Sequence, residues 1–270
     1  LQGYNSLTTK ENLRAEQKCI ELLQQQKNTV NPITHETTTT AGLSLGQQDA
    51  INLVFQTKDR IIGIQGSAGT GKTTVLNNIR NVAKNHGYQI LGLSPTKSAA
   101  KNIEDVTQIK SQTLQLFLAT YTGFIAGRGT EISRGKIEQE YKNKIVVLDE
   151  ASLSSTKQMT QLLELAAILK FRLVLMGDSK QLGSIEAGKP FYYLQNHGLN
   201  TALMNSIKRQ QNPSSLKAVY AIEQAVDKSN NEARSYITKG LNALGKENII
   251  DVAHLSQKDI VTNKDIAQAV

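Results

Sequence analysis

Residues 66–73 of the chain read Gly-Ser-Ala-Gly-Thr-Gly-Lys-Thr, which is the spacing G-x-x-x-x-G-K-[ST]. In such a loop the glycines let consecutive backbone N–H groups approach a triphosphate, and the helix that follows adds positive partial charge. Lys72 would then reach the β- and γ-phosphates, and the hydroxyl of Thr73 would bind Mg²⁺. An apolar run precedes the loop and a helical pattern follows it, so a phosphate-binding loop is favoured over a plain glycine-rich turn. The loop residues predicted to contact the nucleotide are Gly66, Ser67, Ala68, Gly69, Thr70, Gly71, Lys72 and Thr73.

A second apolar run, at residues 145–148, ends in the two acids Asp149 and Glu150. At the end of a strand that neighbours the phosphate loop, Asp149 can hold the Mg²⁺ that Thr73 touches. Glu150 can orient or deprotonate an attacking water. The alternative is that both acids cap the helix that follows them, at its positive end. The phosphate loop in the same chain favours the catalytic interpretation.

Two further strand ends carry polar residues with two open interpretations each. The sequence Gly-Asp-Ser-Lys-Gln at residues 177–181 could place a side chain at the γ-phosphate, but its spacing alone favours a plain β-turn. The sequence Pro-Thr-Lys at residues 95–97 could bind a nucleic-acid backbone phosphate at the start of a helix. Capping of that helix by Thr96 explains the same residues equally well.

Composition limits the classes of function that remain. Lys and Arg exceed Asp and Glu by eight, 31 against 23, and the pI is about 9.4, which favours contact with a polyanion such as nucleic acid or an acidic membrane surface. A solvated basic surface explains the charge equally well. Cys19 is the single cysteine and the histidines are scattered, which excludes an internal disulfide, disfavours a histidine metal site and predicts a reducing, cytoplasmic location. No apolar run approaches the roughly 20 residues that cross a bilayer, so we expect no membrane insertion.

Helix and strand patterns alternate along the central part of the chain. The predicted strands are short, nearly all-apolar runs, typical of strands covered on both faces, at residues 60–64, 89–93, 145–148 and 172–176. The predicted helices lie at residues 46–56, 72–86, 97–104, 113–118 and 156–169. This alternation predicts an α/β fold, with a mostly parallel sheet and helices on both faces.

The two ends of the chain and one internal segment interrupt this alternation. Residues 1–41 are expected to form an N-terminal helix, over residues 9–26, followed by a threonine-rich linker. Residues 42–200 form the main predicted domain, and residues 201–270 an incomplete C-terminal unit. Residues 121–144 are rich in glycine and charge and predict a surface insertion, for which solvation is favoured over a nucleic-acid-facing role.

Seven short segments along the chain each match a known sequence motif, and they follow one another in a fixed order. They lie at residues 43–50 (like a Q motif), 65–74 (motif I), 92–96 (Ia), 112–118 (Ib), 148–152 (II), 177–182 (III) and 209–210 (IV). Their order and spacing, together with Gly-Lys-Pro-Phe at residues 188–191, most resemble the RecD-like superfamily 1 helicase domain of TraI-type conjugative relaxase-helicases. The resemblance covers most of residues 5–225.

The resemblance implies a RecA-like P-loop NTPase fold and an ATP- and Mg²⁺-dependent helicase motor that moves along single-stranded DNA. Gln47 would contact adenine, and Thr74 would join the nucleotide-binding residues. The catalytic residues would be Lys72, Glu150, Gln181 and Arg209. Among these, Gln181 would sense the γ-phosphate and Arg209 would stabilise transition-state charge. The DNA-binding residues would be Thr96, Lys97 and Thr113. Single-stranded DNA and other conjugation proteins are the implied partners.

No segment up to Val270 matches helicase motifs V and VI, so residues 201–270 are expected to be the start of a truncated second motor domain. Because translocation needs two domains that close on ATP, such a chain would bind nucleotide but unwind DNA poorly alone. The alternative function is a non-motor single-stranded DNA-binding protein, or a decayed remnant of a helicase. The intact acids and phosphate loop argue against decay. A metabolite kinase would share the phosphate loop only.

Overall fold

The central sheet of the protein is parallel throughout. The computed structural model describes residues 10–37, 41–67, 69–128, 130–179 and 188–204. Within these residues the strands are β1 (Ile61–Gly66), β2 (Gln89–Ser94), β3 (Ser111–Thr113), β4 (Lys144–Leu148), β5 (Arg172–Gly177) and β6 (Thr201–Met204). They pair in the order β3-β2-β4-β5-β1-β6, each pair in parallel. The predicted α/β fold with a parallel sheet is confirmed.

Helices cover both faces of this sheet. They are α1 (Lys10–Gln25), α2 (Leu45–Gln56), α3 (Lys72–Asn85), α4 (Lys97–Thr107), α5 (Leu114–Ile125), α6 (Glu131–Tyr141), α7 (Thr156–Leu169) and α8 (Pro190–Asn196). One face packs against α1, α5, α7 and α8, and the other against α2, α3 and α4. Strand β4 shows the division, because Val146 and Leu148 fill the first core whereas Ile145 and Val147 fill the second.

Helix α1 is part of the first core. Cys19 and Leu23 are 3% and 1% exposed, and they pack in the same cluster as the apolar side chains of α7. Just after α1, the side-chain Nε2 atom of Gln26 donates a 3.1 Å hydrogen bond to the carbonyl oxygen of Leu163. The predicted N-terminal helix therefore exists and is anchored to α7. Among the helices that the structure describes, none has the length and apolar character needed to span a membrane.

The segment at residues 121–144, predicted as a surface insertion, is largely helical. Helix α5 continues to Ile125, and α6 follows it. Tyr141 is 3% exposed, and its hydroxyl lies 2.9 Å from the hydroxyl of Tyr121. Both rings also contact the ring of Phe117. Among the described residues of this segment Tyr141 alone is buried and the others are exposed or half-buried, so the segment lies at the surface as predicted, but it is largely helical, which the sequence pattern did not indicate.

Parts of the predicted organisation fall outside the described residues. These include three predicted site residues, Ala68, Gln181 and Arg209, whose roles stay predictions. The described residues lie within a unit that spans Leu1–Ser206. Because β6 pairs with β1, the sheet continues to Met204, past the predicted boundary at residue 200. The assignment of residues 201–270 to a second motor domain stays a prediction.

Candidate nucleotide-binding site

The glycine-rich loop connects β1 to α3, as its sequence predicts. Strand β1 ends at Gly66, and α3 begins at Lys72 after the left-handed cap residue Gly71, whose φ is 86°. Gly69 has a φ of 83°, a backbone conformation that side chains disfavour. A Cβ atom on Gly71 would lie 2.4 Å from the side-chain Nε2 atom of Gln47. At these two positions the path of the loop requires glycine.

The ammonium group of Lys72 lies against the loop. Its Nζ atom donates to the carbonyl oxygens of Gly66 at 2.6 Å and Ser67 at 3.4 Å. Thr70 braces the same turn, because its hydroxyl donates to the Ser67 carbonyl oxygen at 2.9 Å. The oxygens of a bound triphosphate could replace these carbonyl oxygens as acceptors for the ammonium group. The ammonium group of Lys72 thus lies against the phosphate loop, and its contact with the β- and γ-phosphates stays a prediction.

Thr73 and Thr74 occupy the first turn of α3, directly after Lys72. Thr73 is half-buried, whereas Thr74 is exposed. At this position the hydroxyl of Thr73 stands beside the N-terminal end of the helix, where a metal-bound triphosphate would lie. The predicted metal contact of Thr73 and nucleotide contact of Thr74 stay predictions.

Gln47 lies under the loop at the start of α2. Its Oε1 atom accepts a hydrogen bond from the Ser44 backbone N–H at 3.0 Å, and its own backbone N–H donates to the Ser44 hydroxyl at 3.3 Å. Its Nε2 atom donates to the Thr70 carbonyl oxygen at 2.8 Å. The side chain is fully buried. Gln47 thus joins α2 to the phosphate loop, and its contact with adenine stays a prediction.

The two acids follow β4 at the same edge of the sheet. The Asp149 backbone N–H donates to the Leu93 carbonyl oxygen at 2.9 Å, and its carboxyl oxygen accepts from the Glu150 backbone N–H at 3.0 Å. Glu150 has a left-handed backbone with a φ of 53°, and a 3₁₀ turn, Ala151–Leu153, follows it. Because all strands are parallel, these acids and the phosphate loop share one edge of the sheet.

Neither acid caps the helix that follows. Helix α7 begins at Thr156, and its cap is Ser155, whose hydroxyl accepts from the Gln158 backbone N–H in a full capping box. Glu150 precedes the 3₁₀ turn and makes no side-chain cap hydrogen bond there. Side-chain capping of α7 by these acids is therefore wrong, and their metal-binding and catalytic roles stay predictions.

Burial and charge set the protonation of this acidic pair. Burial raises the pKa of Asp149, whereas the Glu150 backbone N–H and the positive charge of Lys72 lower it. Burial and the neighbouring charge of Asp149 raise the pKa of Glu150, and Lys72 again lowers it. Lys72 thus acts electrostatically on both acids. A raised pKa suits a carboxylate that accepts a proton during catalysis.

The turn after β5 is tied to β1 by the side chain of Gln65. Its Nε2 atom donates to the Asp178 carboxyl oxygen at 2.8 Å, and its Oε1 atom accepts from the Ser179 backbone N–H at 3.1 Å. The side-chain amide of Gln195 donates to the same Oε1 atom at 3.1 Å. Sequence reasoning assigned no role to Gln65. The available signal was a glutamine inside an otherwise apolar strand, directly before the first loop glycine.

The predicted DNA-binding residues lie at the ends of β2 and β3. Thr96 caps α4 by accepting from the Ala99 backbone N–H at 3.2 Å. Thr113 caps α5 by accepting from the Leu116 backbone N–H, also at 3.2 Å. Thr96 and Lys97 are exposed. Since β2 and β3 are paired neighbours, the structure brings the two helix starts together, and capping accounts for both threonines. Their contact with DNA stays a prediction.

A parallel sheet, a glycine loop that leads into α3 and an acidic pair after β4 define a phosphate-loop nucleotide-binding domain. The chain belongs to the AAA domain family, whose model matches residues 42–241. It is a helicase-like AAA domain, homologous to conjugation proteins and RecD helicases. The resemblance to a RecD-like helicase domain of conjugative relaxase-helicases is confirmed.

Three relatives illustrate this similarity. The multifunctional conjugation protein TraI of Escherichia coli K12 is 30% identical over 186 residues, which are 67% of this chain and 10% of TraI. The probable conjugal transfer protein TraA of Sinorhizobium fredii is 32% identical over 57% of this chain and 13% of TraA. The ATP-dependent RecD2 DNA helicase of Deinococcus radiodurans is 27% identical over 50% of this chain and 18% of RecD2. The chain therefore matches between 10% and 18% of the length of these relatives.

Among solved structures, UvsW of bacteriophage T4 aligns with a TM-score of 0.42 and 11% sequence identity. The alignment covers 83% of this chain and 54% of UvsW.

Proposed function

We propose that this chain is the ATP-binding and ATP-hydrolysing part of a DNA helicase motor that acts on single-stranded DNA during conjugative transfer. The observation that carries the proposal is the meeting of Lys72, Asp149 and Glu150 at one edge of the sheet, where the charge of Lys72 acts on both acids. The similarity to RecD2 of Deinococcus radiodurans, an ATP-dependent DNA helicase, supports ATP as the nucleotide. TraI and TraA support a role in conjugation and, with it, other conjugation proteins as partners in the cytoplasm.

The donor set at the sheet edge suits a magnesium ion. Mg²⁺ in nucleotide sites is held by one or two carboxylates and by substrate phosphates. The Thr73 hydroxyl on α3 and the Asp149 carboxylate after β4 are oxygen ligands of this kind. When bound, the ion neutralises charge on the β- and γ-phosphate oxygens. Thr73 and Asp149 would hold it, and Lys72 would add a second positive charge to the same phosphates.

Hydrolysis of ATP requires an activated water and stabilised phosphate charge. Glu150 would orient the water and accept its proton as the water oxygen bonds to the γ-phosphorus atom and the bond to the β-phosphate oxygen breaks. The products are ADP and inorganic phosphate. The roles of Gln181 as γ-phosphate sensor and Arg209 as a source of transition-state positive charge complete this proposal.

The exposed start of α4 and the neighbouring start of α5 would face the DNA backbone. Phosphates bind readily at helix N-termini that carry hydroxyl and amino side chains. Thr96, Lys97 and Thr113 provide these groups. The alternative, a non-motor single-stranded DNA-binding protein or decayed helicase, is not favoured, because the chain retains every residue of the acidic pair and phosphate loop.

The proposed function is tested by phosphate release from Mg·ATP in the presence and absence of a single-stranded oligothymidine. We expect hydrolysis that the oligonucleotide stimulates. The variant Glu150→Gln, which keeps the size of the side chain, serves as the control for contaminating ATPases and should bind ATP without hydrolysing it. A wild-type chain that binds the oligonucleotide but shows no hydrolysis above Glu150→Gln would support the non-motor alternative instead.

A further inference from the structure

The side chain of Gln65 connects three elements at the nucleotide edge of the sheet. It stands in β1, directly before the first glycine of the phosphate loop. Its amide nitrogen donates to Asp178 at 2.8 Å, and its amide oxygen accepts from the Ser179 backbone N–H and the Gln195 side chain, both at 3.1 Å. Asp178 and Ser179 form the turn after β5, and Gln195 belongs to α8.

The polarity of these bonds fixes the orientation of the amide. The donor of Gln65 faces a carboxyl group, and its acceptor faces two N–H groups. Rotating the amide by half a turn would place its NH₂ group against both donors and its oxygen against the carboxyl oxygen. Asp178 is only 6% exposed, so water competes weakly for the contact and the hydrogen bond to its carboxyl group is strengthened.

The bonds extend the pairing of β1 with β5 beyond the end of the sheet. In the ladder, Gln65 is the register partner of Gly177. A Cβ atom on Gly177 would lie 3.2 Å from the backbone nitrogens of Ala151 and Ser152, so the end of β5 is also packed against the segment that follows the acids. The Gln65 side chain then holds the next two residues of the β5 turn. Two residues further along the chain stands Gln181.

We propose that Gln65 is a positioning residue for ATP hydrolysis, which holds the turn leading to Gln181 in register with the phosphate loop. This inference rests on the proposed function and deepens it. Within the residues that the structure describes, the side-chain hydrogen bonds of Gln65 go to Asp178, Ser179 and Gln195, so its loss should leave ATP binding largely intact. The rate of the chemical step depends on placement within about 1 Å, where errors cost up to ~100-fold. Gln65 should therefore affect kcat rather than KM.

A charge swap across the Gln65–Asp178 contact tests this role. The substitution Gln65→Glu sets two carboxyl groups against each other and should lower the kcat of DNA-stimulated hydrolysis about tenfold, with KM for ATP changed less than about twofold. The double variant Gln65→Glu/Asp178→Asn exchanges the donor and the acceptor across the same contact and keeps both other hydrogen bonds. It should recover kcat to within about threefold of wild type.

Two further variants complete the experiment. Gln65→Met has a similar shape and no charge, and it removes all three hydrogen bonds. It should lower kcat about as much as Gln65→Glu does, and it keeps the test valid if Gln65→Glu folds poorly. Gln139→Glu, an exposed site on α6, introduces the same charge elsewhere and should change nothing. Unchanged kcat in Gln65→Met, or a double variant no faster than Gln65→Glu, would overturn the inference alone. Absence of hydrolysis by the wild-type chain would overturn the proposed function and the inference together.

Discussion

The side-chain amide of Gln47 donates a 2.8 Å hydrogen bond to the carbonyl oxygen of Thr70. The phosphate loop is therefore held by a helix that precedes it in the chain, as well as by β1 and α3. The same amide accepts from the Ser44 backbone N–H, so one buried side chain satisfies a helix cap and a loop carbonyl together. The stability of α2 and the shape of the loop are thus linked.

Replacing Gln47 with alanine should lower the free energy of unfolding by about 2 kcal/mol, because buried backbone groups lose their partners. Urea denaturation followed by circular dichroism measures this change. Gln56→Ala, at the other end of α2, is the matched control, since Gln56 donates to the Glu36 carbonyl oxygen on the exposed surface. It should cost less than about 0.5 kcal/mol. Equal costs at both positions would contradict the linking role of Gln47.

Gly71→Ala should weaken binding of Mg·ATP about tenfold, because the displaced loop N–H groups no longer converge on the phosphates. The added Cβ atom would lie 2.4 Å from the side-chain Nε2 atom of Gln47. Gly87→Ala is the control for backbone strain. Gly87 also has a positive φ, 73°, but nothing lies within 4 Å of an added Cβ atom. It should lower stability by about 1 kcal/mol and leave the affinity unchanged. Equal loss of affinity in both variants would show that backbone strain alone explains the effect.

Asp149→Asn should raise the free energy of unfolding at neutral pH. Burial raises the pKa of Asp149 in the folded protein, so the folded state binds its proton more tightly than the unfolded state does. Stability therefore falls as pH rises from the ordinary carboxyl range through the folded pKa, and the neutral variant avoids this loss. The difference between variant and wild type should shrink as the pH is lowered through the same range.

The measurement is a series of denaturation curves from mildly acidic to neutral pH. Asp105→Asn, at an exposed site on α4, is the matched control and should show no such gain. A variant less stable than wild type at neutral pH would show that the Asp149 carboxylate contributes more through its Glu150 hydrogen bond than it costs through burial. The gain in stability should accompany loss of Mg²⁺-dependent nucleotide binding, as expected where a functional group is kept at a cost in stability.

The sequence alone was sufficient to predict the elements that are marked by a local pattern of residue types. The central strands β1, β2, β4 and β5 are mostly apolar runs closed by Gly66, Ser94, Asp149 and Gly177, and each was predicted to within two residues. The phosphate loop and the acid pair were predictable because nucleotide chemistry constrains residue type at fixed spacing. Because the strands are parallel, the loop after β1 and the acids after β4 lie at the same edge of the sheet, and no further sequence signal is needed to place them together.

Elements that depend on their neighbours were missed. Strand β3 consists of the polar residues Ser111–Thr113, and its pairing with β2 defines it as a strand. Helix α6 contributes Tyr141, which becomes a core residue only because Tyr121 and Phe171 meet it from distant parts of the chain. The role of Gln65 depends equally on Asp178 and Gln195, more than 100 residues away. Such contacts leave no periodic pattern in the sequence.

The most direct test of the central claim, that the loop at residues 66–73 binds ATP through Lys72, is a calorimetric titration of the chain with Mg·ATP. Lys72→Ala removes a charge-assisted contact to the phosphates and should weaken binding at least about tenfold. Lys84→Ala, an exposed lysine in the last turn of the same helix, should bind like wild type. If Lys72→Ala binds Mg·ATP as tightly as Lys84→Ala does, the account of this site is contradicted.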